Sequence, residues 1–94
     1  MTHFLYILYS KTADKYYVGE TIDVELRLNM HNNHVFNNSF SKIANDWIVK
    51  LIFEQPEKSN ILFLEKFVKR MKSRKFIEKL IEEPQILTSI LSRK

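Results

Sequence analysis

Phe4-Leu5-Tyr6-Ile7-Leu8-Tyr9-Ser10, followed after a short polar break by Lys15-Tyr16-Tyr17-Val18-Gly19-Glu20-Thr21, is the stretch that decides the fold. The first run is dense in aromatic and branched residues and nearly continuous in apolar character. That predicts a central strand over Thr2 to Ser10. Lys11-Thr12-Ala13-Asp14 is polar and short, as a hairpin connection should be, so Lys15 to Gly19 becomes the antiparallel partner. Tyr6 and Tyr17 then fall on adjacent strands, where their phenols can converge on one face. Gly19 is the only glycine in the chain. Glycine permits positive φ and lets another group approach the backbone closely. Its place just after a pair of tyrosines suggests a floor for a polar ligand.

Working outward, Thr21 to Asn32 reads as a helix with Asp23 as N-cap and Ile22 as a staple. Val24, Arg27, Leu28 and His31 share one stripe of it. Asn33 to Asn45 is rich in asparagine and serine and reads as a long surface loop. Asp46 to Gln55, with Trp47-Ile48-Val49-Lys50-Leu51-Ile52-Phe53, is a third strand ended by Pro56. Ser59 is placed to cap a helix running to about Lys72, with Ile61, Leu64, Val68 and Met71 inward and Glu65 at the edge of the stripe. Ser73 is placed to cap the next helix, with Phe76, Ile77, Leu80 and Ile81 inward. Pro84 breaks it, and residues 84–94 form a C-terminal helical extension. The class is α+β, in the order β-β-α-β-α-α with a final helix.

Ninety-four residues fit one domain, 1–94, with a single modest core. No apolar run approaches membrane-spanning length, so no membrane partner is expected. The N-terminus lacks the basic and apolar regions of a signal peptide. The absence of cysteine excludes disulfides, thiolate zinc sites and cysteine nucleophiles, and it fits a cytoplasmic location. The net charge is +4 with a pI near 9.4. Lys66, Lys69, Arg70, Lys72, Arg74, Lys75 and Lys79 are seven of the fifteen basic residues and sit within one short stretch. A clustered basic face is the footprint of a polyanion partner, although Glu65, Glu78, Glu82 and Glu83 are interspersed.

Tyr6, Tyr17, Arg27, His31 and Glu65 are the polar groups that the pattern places on or beside the core. Together they suit phosphodiester cleavage, which must activate water, stabilise a developing phosphorane charge and release an alkoxide. Arginine clamps phosphate oxygens with a planar fork of donors. A lone glutamate suits a hard cation such as Mg²⁺ or Mn²⁺. A tyrosine or histidine can move the proton, although an unperturbed phenol is a poor base near neutrality.

With these residues quoted, the chain resembles the GIY-YIG nuclease superfamily. Phe4 to Ser10 and Lys15 to Thr21 look like its two signature strands. Asp23-Val24, Arg27-Leu28 and His31-Asn32 look like its first helix. Leu64-Glu65, Val68-Lys69 and Lys72-Ser73-Arg74 look like the helix bearing its acidic residue. The likeness covers about residues 3 to 82 and is nearest to the small single-domain bacterial type (UPF0213-like), related to the catalytic domain of the UvrC excinuclease. It implies a three-stranded antiparallel sheet flanked by helices. It also implies a divalent-metal-dependent endonuclease acting on DNA, branched or damaged, in repair or recombination, by structure rather than sequence. By position, Tyr6 and Tyr17 are the paired tyrosines, one of them the base. Arg27 would hold the phosphate, His31 would assist proton movement or orient a tyrosine, and Glu65 would bind the metal. Gly19, Lys69, Lys72 and Arg74 are the expected nucleic-acid contacts, with Gly19 leaving room for a phosphate. Phe4 stands where the first signature has glycine, and acidic Asp46 stands where close relatives have a basic turn.

Each residue alone has a plainer reading. Tyr6 and Tyr17 serve a core, Arg27 lays its stem over the core edge, His31 caps a helix end, and Glu65 pairs with Lys69. The joint spacing favours the site. A non-catalytic nucleic-acid-binding or partner-recruiting module on the same fold is the alternative. Tyr9, Tyr16 and Trp47 read as packing residues rather than base-stacking ones.

Overall fold

The computed structural model describes residues 1–33 and 43–94. Most of the loop expected over Asn33 to Asn45 therefore lies outside the described residues. Three strands form one antiparallel sheet: β1 (His3–Ser10), β2 (Lys15–Thr21) and β3 (Ile48–Gln55), in the order β2-β1-β3. β1 is central, which is why its sequence is apolar at almost every position: both of its faces are covered. Four helices complete the chain: α1 (Val24–Asn32), α2 (Lys58–Met71), α3 (Arg74–Glu82) and α4 (Gln85–Ser92). The expected class and order are borne out, with the final helix present. Among the described residues, no helix is long and apolar enough to cross a membrane.

Alternation along the strands sends side chains to two different layers. Leu5, Ile7, Val18 and Leu51 face α2, α3 and α4 and join Ile61, Leu64, Val68, Leu80 and Leu87 in the main core. Tyr6, Leu8 and Tyr17 face the other way, where α1 supplies Val24 and Leu28 and Trp47 closes the layer. A register shift between Ile7 and Leu8 in the β1–β3 pairing re-aims β3 at that point.

The hairpin turn needs no glycine because Asp14 takes the left-handed conformation, φ 53°, which a short polar side chain tolerates. Its carboxylate receives Arg74 Nη2 at 2.6 Å, which holds it well below the usual carboxylate range, at about 2. Asp46 braces the same turn, accepting from Ser10 Oγ, from Thr12 N at 3.0 Å and from Thr12 Oγ1 at 2.8 Å. The acidic residue before the third strand is thus consumed by the fold.

Asp23 caps α1 by accepting from Leu26 N at 3.0 Å, and Ser73 caps α3 by accepting from Phe76 N at 3.1 Å, as expected. Four local expectations are corrected. Ser59 lies inside α2, whose N-cap is Glu57 with no side-chain cap bond. Glu57 is still extended, but Lys58 is already helical, so the helix begins before the serine. Met71 is 47% exposed because α2 ends there, with Lys72 in the left-handed conformation at φ 47°. Ile22 is 52% exposed and staples nothing. Trp47, expected inside the third strand, precedes it and is buried as a packing residue.

Candidate active site

Register puts the two tyrosines together. Tyr6 stands opposite Gly19 and Leu8 opposite Tyr17, so the phenols are diagonal neighbours on the α1 face, with ring centroids 6.2 Å apart. The helical period of α1 then turns Val24, Arg27, Leu28 and His31 toward the sheet. The His31 ring lies 4.4 Å from that of Tyr17 and 6.0 Å from that of Tyr6. His31 Nε2 and the Tyr6 hydroxyl are 2.9 Å apart, both residues being 1% exposed. Tyr17 is only half-buried.

Burial fixes the protonation of this pair. It pushes His31 down to about 4, and the nearby Arg27 guanidinium adds to the shift. The imidazole is therefore neutral near pH 7 and shares one hydrogen bond with the Tyr6 hydroxyl. Burial likewise pushes Tyr6 above the ordinary phenol range, with Tyr17 adding to it and Arg27 opposing it. Glu65 and Glu20 also raise Tyr6, so both carboxylates stand within electrostatic reach of the pair.

Gly19 has no positive φ. A Cβ there would lie 2.6 Å from Tyr6 Oη, 2.7 Å from Tyr6 Cζ and 3.0 Å from Tyr17 Cε1. The glycine is required because the Tyr6 ring rests on bare backbone. The space expected for a phosphate above Gly19 is filled by the Tyr6 phenol.

Glu65 comes from the opposite layer. α2 packs on the other face, and β2 is an edge strand, so α2 reaches the tyrosines around that edge. The Glu65 side chain is 19% exposed and its Oε2 lies 3.0 Å from Lys69 Nζ, as the plainer reading of the sequence has it. Lys69 Nζ stands 5.9 Å from the centre of the Tyr17 ring. The structure thus packs Tyr6, Tyr17 and His31 together, with Arg27 and, from the opposite layer, Glu65 within electrostatic reach of Tyr6. Lys69, Lys72 and Arg74 line a cleft beside Tyr17. Arg74 is also held by the hairpin turn and lies over the Tyr9 and Tyr16 rings.

Among the described residues, no three His, Cys, Asp or Glu side chains gather as a metal cage. The carboxylate that the sequence singles out as a donor is that of Glu65, which stands with Glu20 within electrostatic reach of Tyr6. That fits a hard cation which keeps most of its shell from water and substrate phosphate. One supporting residue was missed in the sequence. Asn32 donates Nδ2 to Trp47 O at 3.1 Å and accepts from Trp47 N at 2.7 Å, locking the end of α1 to the start of β3. Its only signal was an amide directly after His31.

The model of the GIY-YIG catalytic domain matches residues 2–79. Among solved structures, the chain is similar to the solution NMR structure of the UPF0213 protein BH0048 from Bacillus halodurans. Identity is 27%, 98% of each chain is covered and the TM-score is 0.56. No curated protein matches the chain. The match over residues 2–79 shows that the chain belongs to the GIY-YIG family of nuclease domains, which act on DNA and generally use a divalent metal ion.

Proposed function

We propose that this chain is a divalent-metal-dependent DNA endonuclease, selective for structure rather than sequence. Branched or damaged DNA in cytoplasmic repair or recombination would be its substrate, with Mg²⁺ or Mn²⁺ as cation. The observation that carries the reading is the packing of Tyr6, Tyr17 and His31 against one another, with Arg27 and Glu65 in electrostatic reach.

The two phenols have different work. The Tyr6 hydroxyl is buried, stays protonated and is committed to His31, so it positions the imidazole and the ring beside it. Tyr17 is the more open phenol and borders the cleft, so it is the group that meets substrate and takes the proton from the attacking water. A phenol does this efficiently only where nearby positive charge stabilises its anion, and Lys69 stands over this ring. Arg27 presents its planar fork to the phosphate oxygens. Glu65 would hold the cation once Lys69 releases it, and the cation, when bound, supplies positive charge to the developing phosphorane.

Nicking of branched DNA with Mg²⁺ or Mn²⁺ tests this directly. Glu65→Ala and Tyr17→Phe are expected to abolish nicking, whereas Tyr6→Phe retains a measurable part. Nicking unchanged in Glu65→Ala removes the metal assignment. Salt-sensitive binding with no cleavage under any divalent ion would instead leave the non-catalytic nucleic-acid-binding module.

A further inference from the structure

The cleft between the β2 edge and the α2–α3 corner has a volume of about 450 Å³, and of its lining only Tyr17 and Lys69 enter the chemistry above. That lies within the roughly 300–1,000 Å³ of sites that enclose a small ligand. Val68 and Ile77 line it on the apolar side, and the Tyr17 ring forms the wall shared with the candidate active site. Lys15, Lys69 and Lys72 line it as well, all three exposed. Among the described residues, Lys15 and Lys72 enter no salt bridge. Asp14, the one acidic residue of the lining, is neutralised by Arg74.

An apolar floor, an aromatic wall and a cationic rim match a nucleobase with its flanking phosphates. Bases stack on aromatic rings whatever their identity, and lysines follow the backbone. A paired base cannot enter, because its faces are covered by its neighbours in the duplex. An unpaired base costs least to bring out of the stack, so such a cleft selects structure rather than sequence.

We propose that this cleft receives one unpaired nucleotide of the DNA substrate, its base against Val68, Ile77 and Tyr17 and its phosphates against Lys15 and Lys72. The proposal rests on the nuclease reading and narrows its substrate to DNA with an extrahelical or single-stranded nucleotide beside the scissile bond.

The test uses the full chain without divalent metal and two DNAs of equal length. One is a perfect duplex, and the other carries a single bulged 2-aminopurine. The bulged DNA is expected to bind about tenfold more tightly, with a change in 2-aminopurine fluorescence as the base enters the cleft. Lys15→Gln combined with Lys72→Asn should erase the preference and leave thermal unfolding unchanged. Asparagine tolerates the left-handed backbone at position 72, so the charge is what is removed. Equal affinity for both DNAs, unchanged fluorescence, or a preference that survives the double variant each overturns the proposal. Mg²⁺-dependent cleavage of both DNAs without preference would leave the nuclease reading standing and remove the cleft site. A bulge preference with no cleavage under any divalent ion would do the reverse. Absence of DNA binding removes both.

Discussion

On one face of the sheet, Leu5, Ile7, Val18 and Leu51 meet Ile61, Leu64, Val68, Leu80 and Leu87, all of them apolar. On the other, Tyr6, Tyr17 and His31 share the layer with Leu8 and Trp47, and a buried hydrogen bond runs through it. The first face buries area and asks for nothing further. The second buries polar groups, which is tolerable only because Tyr6 and His31 satisfy each other. The apolar core and the proposed chemistry thus lie on opposite faces of one sheet, and Glu65 links them, since it belongs to a helix of the first face and stands within electrostatic reach of Tyr6 on the second.

Adjacent residues on α2 offer the sharpest way to break this division. Leu64 is fully buried in the main core, whereas Glu65 pairs with Lys69 and stands within electrostatic reach of Tyr6. Leu64→Ala is expected to cost about 2–5 kcal/mol in denaturant unfolding. Glu65→Gln should change stability by about 0.5 kcal/mol or less, yet reduce nicking by on the order of 10²–10³. Loss of stability in Glu65→Gln, with activity falling only in proportion, would collapse the distinction between the faces.

Gly19→Ala probes the second face alone. In an unobstructed strand, alanine in place of glycine is favourable by about 0.5–1 kcal/mol. Here the new methyl group meets Tyr6 Oη and Cζ, and the ring has to leave His31 to make room. A destabilisation of about 1–3 kcal/mol is expected, together with lost nicking. In a Tyr6→Leu background the same substitution should become neutral or stabilising. Persistence of the cost there would show that something other than the Tyr6 ring demands glycine.

His31 gives the second face a pH signature that the first cannot have. Its ordinary value of 6.5 falls to about 4 in the folded chain. Between those values the unfolded chain binds more protons, so stability is complete above about 6.5 and is lost as pH falls toward 4. The full span is on the order of 3 kcal/mol. Asp14 and Asp46, both shifted down, lose their contributions chiefly below that window. Chemical unfolding of the parent and of His31→Gln from pH 7 to pH 4 should show the slope in the parent only. Equal slopes would mean that His31 is not held neutral by burial.

Strands and helices were legible because each has one strong local cause: continuous apolar character for a central strand, Asp23 and Ser73 at helix starts, Pro84 at a break. The convergence of Tyr6, Tyr17 and His31 was legible because register and helical period are local rules that place side chains on faces. Gly19 was half-legible. Its uniqueness marked a requirement, but the requirement comes from a ring on the neighbouring strand, and no local pattern states which ring crosses which backbone. Arg74 and Asp46 were harder, since each is engaged by a hairpin turn distant in sequence. Asn32 was missed for the same reason: an amide shows nothing of its partner until Trp47 arrives beside it.

The smallest expected effect lies at the junction of the two faces. Lys69 and Glu65 are an i,i+4 pair with side chains 53% and 19% exposed. Such pairs contribute about 0.3–0.5 kcal/mol, so Lys69→Gln should lower stability by only that much. Its effect on the site should be clearer. The ammonium that neutralises Glu65 is gone, and a divalent cation then meets no competitor at the carboxylate. The Mg²⁺ concentration giving half-maximal nicking should therefore fall, even where the maximal rate also falls because the cleft has lost a cation. The midpoint of a metal titration, rather than the rate, is the quantity to read. A stability loss above about 1 kcal/mol with an unmoved midpoint would assign the pair to the fold and leave Glu65 without a demonstrated metal.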